Sequence, residues 1–177
     1  MTDARGSQIV FRRALVGDAP LLARTQRDVW AAAYRGIYPD AWIDSFDFET
    51  RTARWRETTQ DAAQEVWLIL DAESCAGYYV FGAPRHGAYK TFPLCLNALY
   101  LLPPYQRRGI GRVIFARLYR QCAAGGIEGF FCGCNLHNLP AQRFYKKMGG
   151  VPGSIDSGHT NRAEDQIYYE FYLGDRT

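Results

Sequence analysis

Within this 177-residue chain, the stretch best suited to chemistry is Gln106-Arg107-Arg108-Gly109-Ile110-Gly111. An apolar run, Leu94 to Leu102, stops at Pro103-Pro104, and a helical pattern begins inside the turn that follows. A helix N-terminus carries about half a positive charge and a set of unpaired N–H groups. Glycine at such a point lets a ligand come up against the backbone. Together these make an anion site suited to a pyrophosphate, and Arg107, Arg108 and Arg112 add formal positive charge. The string is not a Walker loop, because no Gly-Lys-Ser/Thr follows. It also lacks the third glycine and the acidic ribose partner of the dinucleotide fingerprint. A plain strand-to-helix turn would use glycine for geometry alone.

The second stretch is Asn138-Leu139-Pro140-Ala141-Gln142-Arg143-Phe144-Tyr145. The spacing predicts a helix from about Pro140 to Met148, with Ala141, Phe144, Tyr145 and Met148 on its apolar face. By spacing alone Tyr145 reads as a core residue. A phenol, with an ordinary pKa of about 10, also keeps its proton at neutral pH and can deliver it. The five cysteines, Cys75, Cys95, Cys122, Cys132 and Cys134, form no disulfide framework. They read as small buried hydrophobes of a reducing compartment, and three histidines leave little for a zinc site.

These residues must be positioned by an alternation of strands and helices. Gln8 to Leu15 reads as a strand. Asp18 near the N-cap and Pro20 in the first turn open a helix carrying Leu21, Leu22, Thr25, Val29 and Ala32 at helical spacing. Tyr34 to Asp47 reads as a turn or broken helix, and Phe48 to Gln60 as a short helix. Glu65 to Asp71 and Ala76 to Phe81 form a hairpin linked by residues 72–75, followed by a loop, Gly82 to Phe92. Leu94 to Leu102 is the fourth strand. The helix after the glycine turn runs from about Gly111 to Ala124, with Ile110, Ile114, Leu118 and Cys122 on one face, and ends at Gly125-Gly126. Ile127 to Cys134 is a strand apolar on nearly every position, as burial on both faces requires. Strands near Val151 and at Gln166 to Leu173 close the chain. The fold class is α/β, one domain over residues 1–177 with a single three-layer core. Hydrophobic residues at 47% and charged residues at 22% suit a globular chain, and a net charge of +3 is too small to argue for nucleic acid. No apolar run approaches the roughly 18–20 residues of a membrane span. The first residues are polar where a signal peptide would be apolar, so the expected location is cytoplasmic.

The run Leu99-Tyr100-Leu101-Leu102-Pro103, then Tyr105 to Gly111, resembles the signature of the GNAT superfamily of N-acetyltransferases, roughly L-Y-V-x-P then Y-Q-x-R/K-G-x-G. The element order and the Tyr34-Arg35-Gly36-Ile37-Tyr38-Pro39-Asp40 stretch are similar as well, so the resemblance covers nearly the whole chain. It implies a GNAT-like fold, a central mixed, mostly antiparallel sheet flanked by helices, and acetyl-CoA as cosubstrate without a metal. Pantetheine would pair with the backbone of Leu99, Tyr100 and Leu101 like an added strand. The pyrophosphate would sit on N–H groups of Arg107, Arg108, Gly109, Ile110, Gly111 and Arg112. Asn138 and Tyr145 match the family's N-x-x-A-x-x-[FL]-Y, in which the Asn contacts CoA and the Tyr often protonates the departing thiolate. Asn135 is a rival for the first role.

The family often supplies a carboxylate base in the fourth or fifth strand. Here the fourth offers Cys95, Leu96, Asn97 and Ala98, and the fifth only Glu128 at its start. Asp71, Glu73 and His86 are the remaining candidates, and the base stays unassigned. In such a fold the acceptor cleft would be lined by Trp30, Tyr34, Tyr38, Trp42, Tyr89 and Phe92 with Asp40, Asp44 and Asp47, suiting a cationic, partly apolar amine. The expected activity is acetyl transfer from acetyl-CoA to a primary amine of a small molecule or peptide, with no nucleic acid or membrane partner. The alternative is a non-catalytic acyl-CoA-binding module, kept open by the missing base. The closing strand Ile167 to Tyr172 suits either the sheet or pairing with a second copy in a homodimer.

Overall fold

The computed structural model describes residues 1–4, 6–85, 89 and 91–174. It is α/β, with a seven-stranded mixed sheet in the order β1-β2-β3-β4-β5-β7-β6. The chain packs as two compact units, residues 1–82 with 98–111, and residues 83–97 with 112–177. No helix among the described residues is long and apolar enough to cross a membrane.

In the first unit, β1 (Ile9–Arg13), β2 (Gln64–Asp71) and β3 (Ser74–Gly82) pair antiparallel. The β2–β3 turn is tighter than the sequence predicts: Asp71 already faces Ser74, because Ala72 takes a left-handed φ of 51°. Helices α1 (Ala19–Tyr34), α2 (Asp40–Asp44) and α3 (Phe48–Gln60) complete this unit. Asp18 stands at the N-cap of α1 but makes no side-chain cap. Its carboxylate is instead forked to Arg12 at 2.8 Å and accepts from the Leu15 N–H. Asp47 does cap α3, accepting from the N–H groups of Glu49 and Thr50, which is why that helix starts at Phe48. Leu22, Val29, Leu68 and Tyr78 form the core, and the Trp55 indole donates to Gln26 at 2.9 Å.

In the second unit, β5 (Gly129–Asn135) pairs antiparallel with β7 (Gln166–Tyr172), and β7 with β6 (Val151–Asp156). Strand β4 (Cys95–Leu101) runs through both units, and among the described residues it pairs with β5 in parallel at one register, Cys95 with Phe131. Helix α4 (Ile110–Ala124) buries Ile110, Ile114, Leu118 and Cys122, the face expected from their spacing. Against it and α5 (Leu139–Lys147) stack the rings of Phe115, Phe130, Tyr145 and Phe171. The side chains of β7 alternate, with Ile167, Tyr169 and Phe171 buried and their neighbours less so, as a sheet with one covered face requires.

Candidate functional site

The end of β4 is turned back on itself before α4 begins. Pro103–Tyr105 make a 3₁₀ turn, and the Gln106 side chain donates to the Leu101 carbonyl at 3.0 Å. Arg107 and Gly109 then take left-handed φ values of 61° and 84°. A Cβ at Gly109 would meet nothing within 4 Å. That glycine is therefore needed for its dihedral, and its small size leaves the backbone open to an approaching group. Helix α4 starts one residue later, so its first N–H groups have no partner within the helix and carry the positive end of the dipole. Ile110 and Gly111 are buried and hold the helix start in place. Arg107 and Arg112 are exposed, with no ion pair to either among the described residues. Open glycine backbone, helix N-terminus and two unpaired cations fit a pyrophosphate.

Arg108 departs from expectation. Its guanidinium is buried, ion-paired with Asp3, whose side chain is fully buried, and it also donates to Ser7 Oγ. The Arg108 carbonyl accepts from the Ala4 N–H at 3.3 Å, the Tyr105 ring lies 4.9 Å away, and Asp71 is at 4.0 Å. This side chain does not add charge to the anion site. Held between two left-handed residues, it staples the turn to the segment before β1. Only its backbone N–H remains for a phosphate.

Asn138 and Tyr145 lie in the second unit. Asn138 is the N-cap of α5, its Oδ1 accepting from the Ala141 N–H at 3.1 Å, and its Nδ2 has no partner among the described residues. Asn135 is spent on the fold: it donates to the Ala163 carbonyl and accepts from the His137 N–H. Of the two, only Asn138 keeps a free donor. Tyr145 is 8% exposed. Its ring packs on Phe115, Phe144, Tyr169 and Phe171, and its hydroxyl interacts with the Cys132 sulfur.

The candidates for a base fare poorly. Asn97 ties β4 to the preceding loop, donating to the Ala83 carbonyl and accepting from the Arg85 N–H. Asp71 belongs with Tyr105 and Arg108, while Glu73 and Glu128 are exposed. His86 lies outside the described residues. One carboxylate that sequence reasoning missed is Glu170. It takes hydroxyl bonds from Tyr89 and Tyr172. Burial alone would raise its pKa, but those hydroxyls and that of Thr91 outweigh it, and the carboxyl falls below its ordinary value. That makes it a fixed anion and a weak base. Its only sequence signal is an acid on an otherwise aromatic alternating strand. The buried thiols are poor nucleophiles: burial pushes Cys122 up to about 11, and Cys95 and Cys134 to about 12.

The aromatic residues assigned to the acceptor side gather only in part. In the first unit Trp42 stacks on Trp30 and Tyr38 at 5.6 and 4.6 Å, and the Tyr34 and Tyr100 hydroxyls meet at 2.7 Å. Tyr89 and Phe92 belong to the second unit, packed with Phe131 on the face of the sheet away from Tyr145. The acids do not serve as expected. Asp40 and Asp44 both pair with Arg35, and Asp47 is committed to capping. Each of the three carboxylates already has a partner, though one arginine shared by two aspartates leaves the group net negative.

The family model described as "Acetyltransferase (GNAT) family" matches residues 27–150. The uncharacterized N-acetyltransferase YuaI of Bacillus subtilis (strain 168) is 25% identical over 139 residues, 78% of each chain. PaiA N-acetyltransferase of Thermoplasma acidophilum, in complex with coenzyme A, superposes with a TM-score of 0.70 at 19% identity, covering 93% of this chain and 99% of that one. YncA from Salmonella typhimurium, with its cofactor acetyl-CoA, gives 0.64 at 21%, covering 96% and 95%.

Proposed function

The chain belongs to the acetyltransferase (GNAT) family, and from that premise we propose that it moves an acetyl group from acetyl-CoA directly to a primary amine of a small molecule or peptide. The observation that carries this is the turn at Arg107–Gly111, where left-handed backbone, an open glycine and the start of α4 form a cradle for a pyrophosphate. In this reading residues 1–177 act as one catalytic domain, in the cytoplasm and without a metal, and Leu99 to Leu101 present backbone to the pantetheine arm.

The thioester supplies an activated acyl carbon. A neutral amine forms the C–N bond as the C–S bond breaks, Tyr145 gives its hydroxyl proton to the departing sulfur, and the nitrogen's extra proton passes to water, from which the tyrosinate regains its own. Asn138 Nδ2 is free to hold a carbonyl of the cosubstrate. Direct transfer is favoured because the buried thiols of Cys95, Cys122 and Cys134 are held protonated and offer no nucleophile. Deprotonating an alkyl ammonium at neutral pH costs about 4 kcal/mol, and no carboxylate base is found for it among the described residues. That gap favours a second reading, a binding module without turnover.

Calorimetric titration of acetyl-CoA and CoA tests both. Micromolar binding that vanishes in Gly109→Trp supports the cradle, and thiol release with any amine then selects the enzyme. A folded wild-type protein that binds neither compound would refute the proposal.

A further inference from the structure

Helices α1, α2 and α3 line an open-mouthed pocket of about 140 Å³, walled by Trp30, Trp42, Ile43 and Phe46 and edged by Arg51 and Arg54. Arg51 is the unusual member. Its guanidinium lies 4.9 Å over the Trp30 ring and 5.7 Å from that of Phe46, and it is half buried. No ion pair to Arg51 or Arg54 is found among the described residues. The one carboxylate lining the cavity, Asp47, spends its oxygens on the Glu49 and Thr50 N–H groups and the Thr50 hydroxyl. The hydroxyls there are also engaged, Ser45 with the Trp42 carbonyl and Thr50 with Asp47. Burial, then the neighbouring charge of Arg54, works against the Arg51 cation, and the smaller opposing effects of Tyr78 and Asp47 do not offset them. The free hydrogen-bonding capacity of the pocket, among its described lining residues, is thus N–H: the guanidinium, a planar fork that matches a carboxylate, and the buried Trp30 Nε1. Its remaining surface is flat and aromatic. A space of about 150 Å³ holds one benzene-sized ring.

The cavity also has a line to β4. Trp30 packs edge-on to Tyr34 at 6.0 Å, and the Tyr34 hydroxyl meets that of Tyr100. We propose that this pocket receives the carboxylate end of the acceptor, with Arg51 as its anchor and the mutually stacked Trp30 and Trp42 offering an apolar wall beside it. The acceptor is then an amino-acid-like or peptide amine bearing a negative charge, the opposite of the cationic amine that the acids of this region suggest in the sequence. This assignment rests on the acetyltransfer reading for the word acceptor, but the anion site stands on its own geometry.

The test uses benzoate as probe and benzylamine as its charge-reversed counterpart, titrated by calorimetry into the full chain. Benzoate should bind and benzylamine should not. Arg51→Gln should weaken benzoate by about tenfold or more, with Arg51→Lys falling between. Should Arg51→Gln fail to fold by circular dichroism, the exposed Arg54→Gln and Trp42→Ala, each expected to weaken benzoate, carry the test. Gly109→Trp should lose CoA and keep benzoate, which separates the two sites. In the amine screen, phenylalanine should then outperform phenethylamine in kcat/KM. Equal binding of benzylamine, or benzoate binding unchanged in Arg51→Gln and Trp42→Ala, would overturn the anion site. Intact benzoate binding by a protein that binds no CoA would instead overturn the acetyltransfer reading alone.

Discussion

The glycine turn and the environment of Tyr145 are built on opposite plans. At the turn the groups that would meet a ligand are backbone N–H groups and exposed arginines, while the Arg108–Asp3 pair and the start of α4 at Ile110 are buried beneath. Around Tyr145 the side chain offered for chemistry is itself buried in a stack of aromatic rings. The difference teaches where each site gets its rigidity. The turn borrows it from one buried ion pair and two left-handed residues. Tyr145 gets it from many weak ring contacts, each worth about 1 kcal/mol.

That contrast can be broken by substitution. The largest effect is expected at Gly109, where a bulky L-residue is strained at φ 84° and fills the approach, so Gly109→Trp should abolish CoA binding in calorimetry. Next comes Asp3→Asn. It leaves the buried Arg108 cation without its partner and should cost about 3 kcal/mol of stability, read as a lower midpoint in urea. It should also raise KM for acetyl-CoA, with kcat little changed. If KM does not move, the staple has no part in shaping the turn. Tyr145→Phe removes one hydroxyl and keeps the ring stack, so the fold should hold while kcat drops by about a hundredfold. An unchanged kcat would make Tyr145 a packing residue.

The smallest effect concerns the loop that latches the start of α5. His159 bonds Asp165 at 3.0 Å with Asp156 at 3.9 Å, and Asp165 accepts the Leu136 N–H through its carbonyl. The bond to Asp165 raises the imidazole pKa above 6.5, desolvation opposes it, and the charge of Asp156 adds a smaller push upward. A raised pKa means the stabilisation is complete below 6.5 and is lost as pH climbs through the folded value. Asp165 is lowered by the same bond, so its share is present above 3.8 and fades as pH falls. Wild-type Tm should therefore decline slightly from mildly acidic to mildly alkaline pH, and His159→Asn should flatten that slope.

Much of the architecture was legible because it depends on local rules. Phe48 to Gln60 reads as a helix with the bounds the structure gives, α4 lies between a glycine turn and a glycine pair, and β5 stands out by near-continuous apolarity. Asp18 looked like a cap, yet Arg12, six residues back along the chain and facing it, took the carboxylate. The acids of the acceptor region misled for the same reason. Asp40 and Asp44 are free charges on paper, and in the fold both share the one cation of Arg35. Arg51 carries no signal in the sequence, since an arginine on a polar helix is an ordinary surface residue until its partners are known.

The sequence by itself determined the glycine turn, the family and the succession of strands and helices, because dihedral limits, caps and periodicity act over a few residues. Only the tertiary structure decided which charges remain. It buried Arg108 on Asp3, paired off the acids near α2 and left Arg51 between two rings. Charge pairing depends on neighbours distant in sequence, and its energy is set by burial that no local pattern reveals.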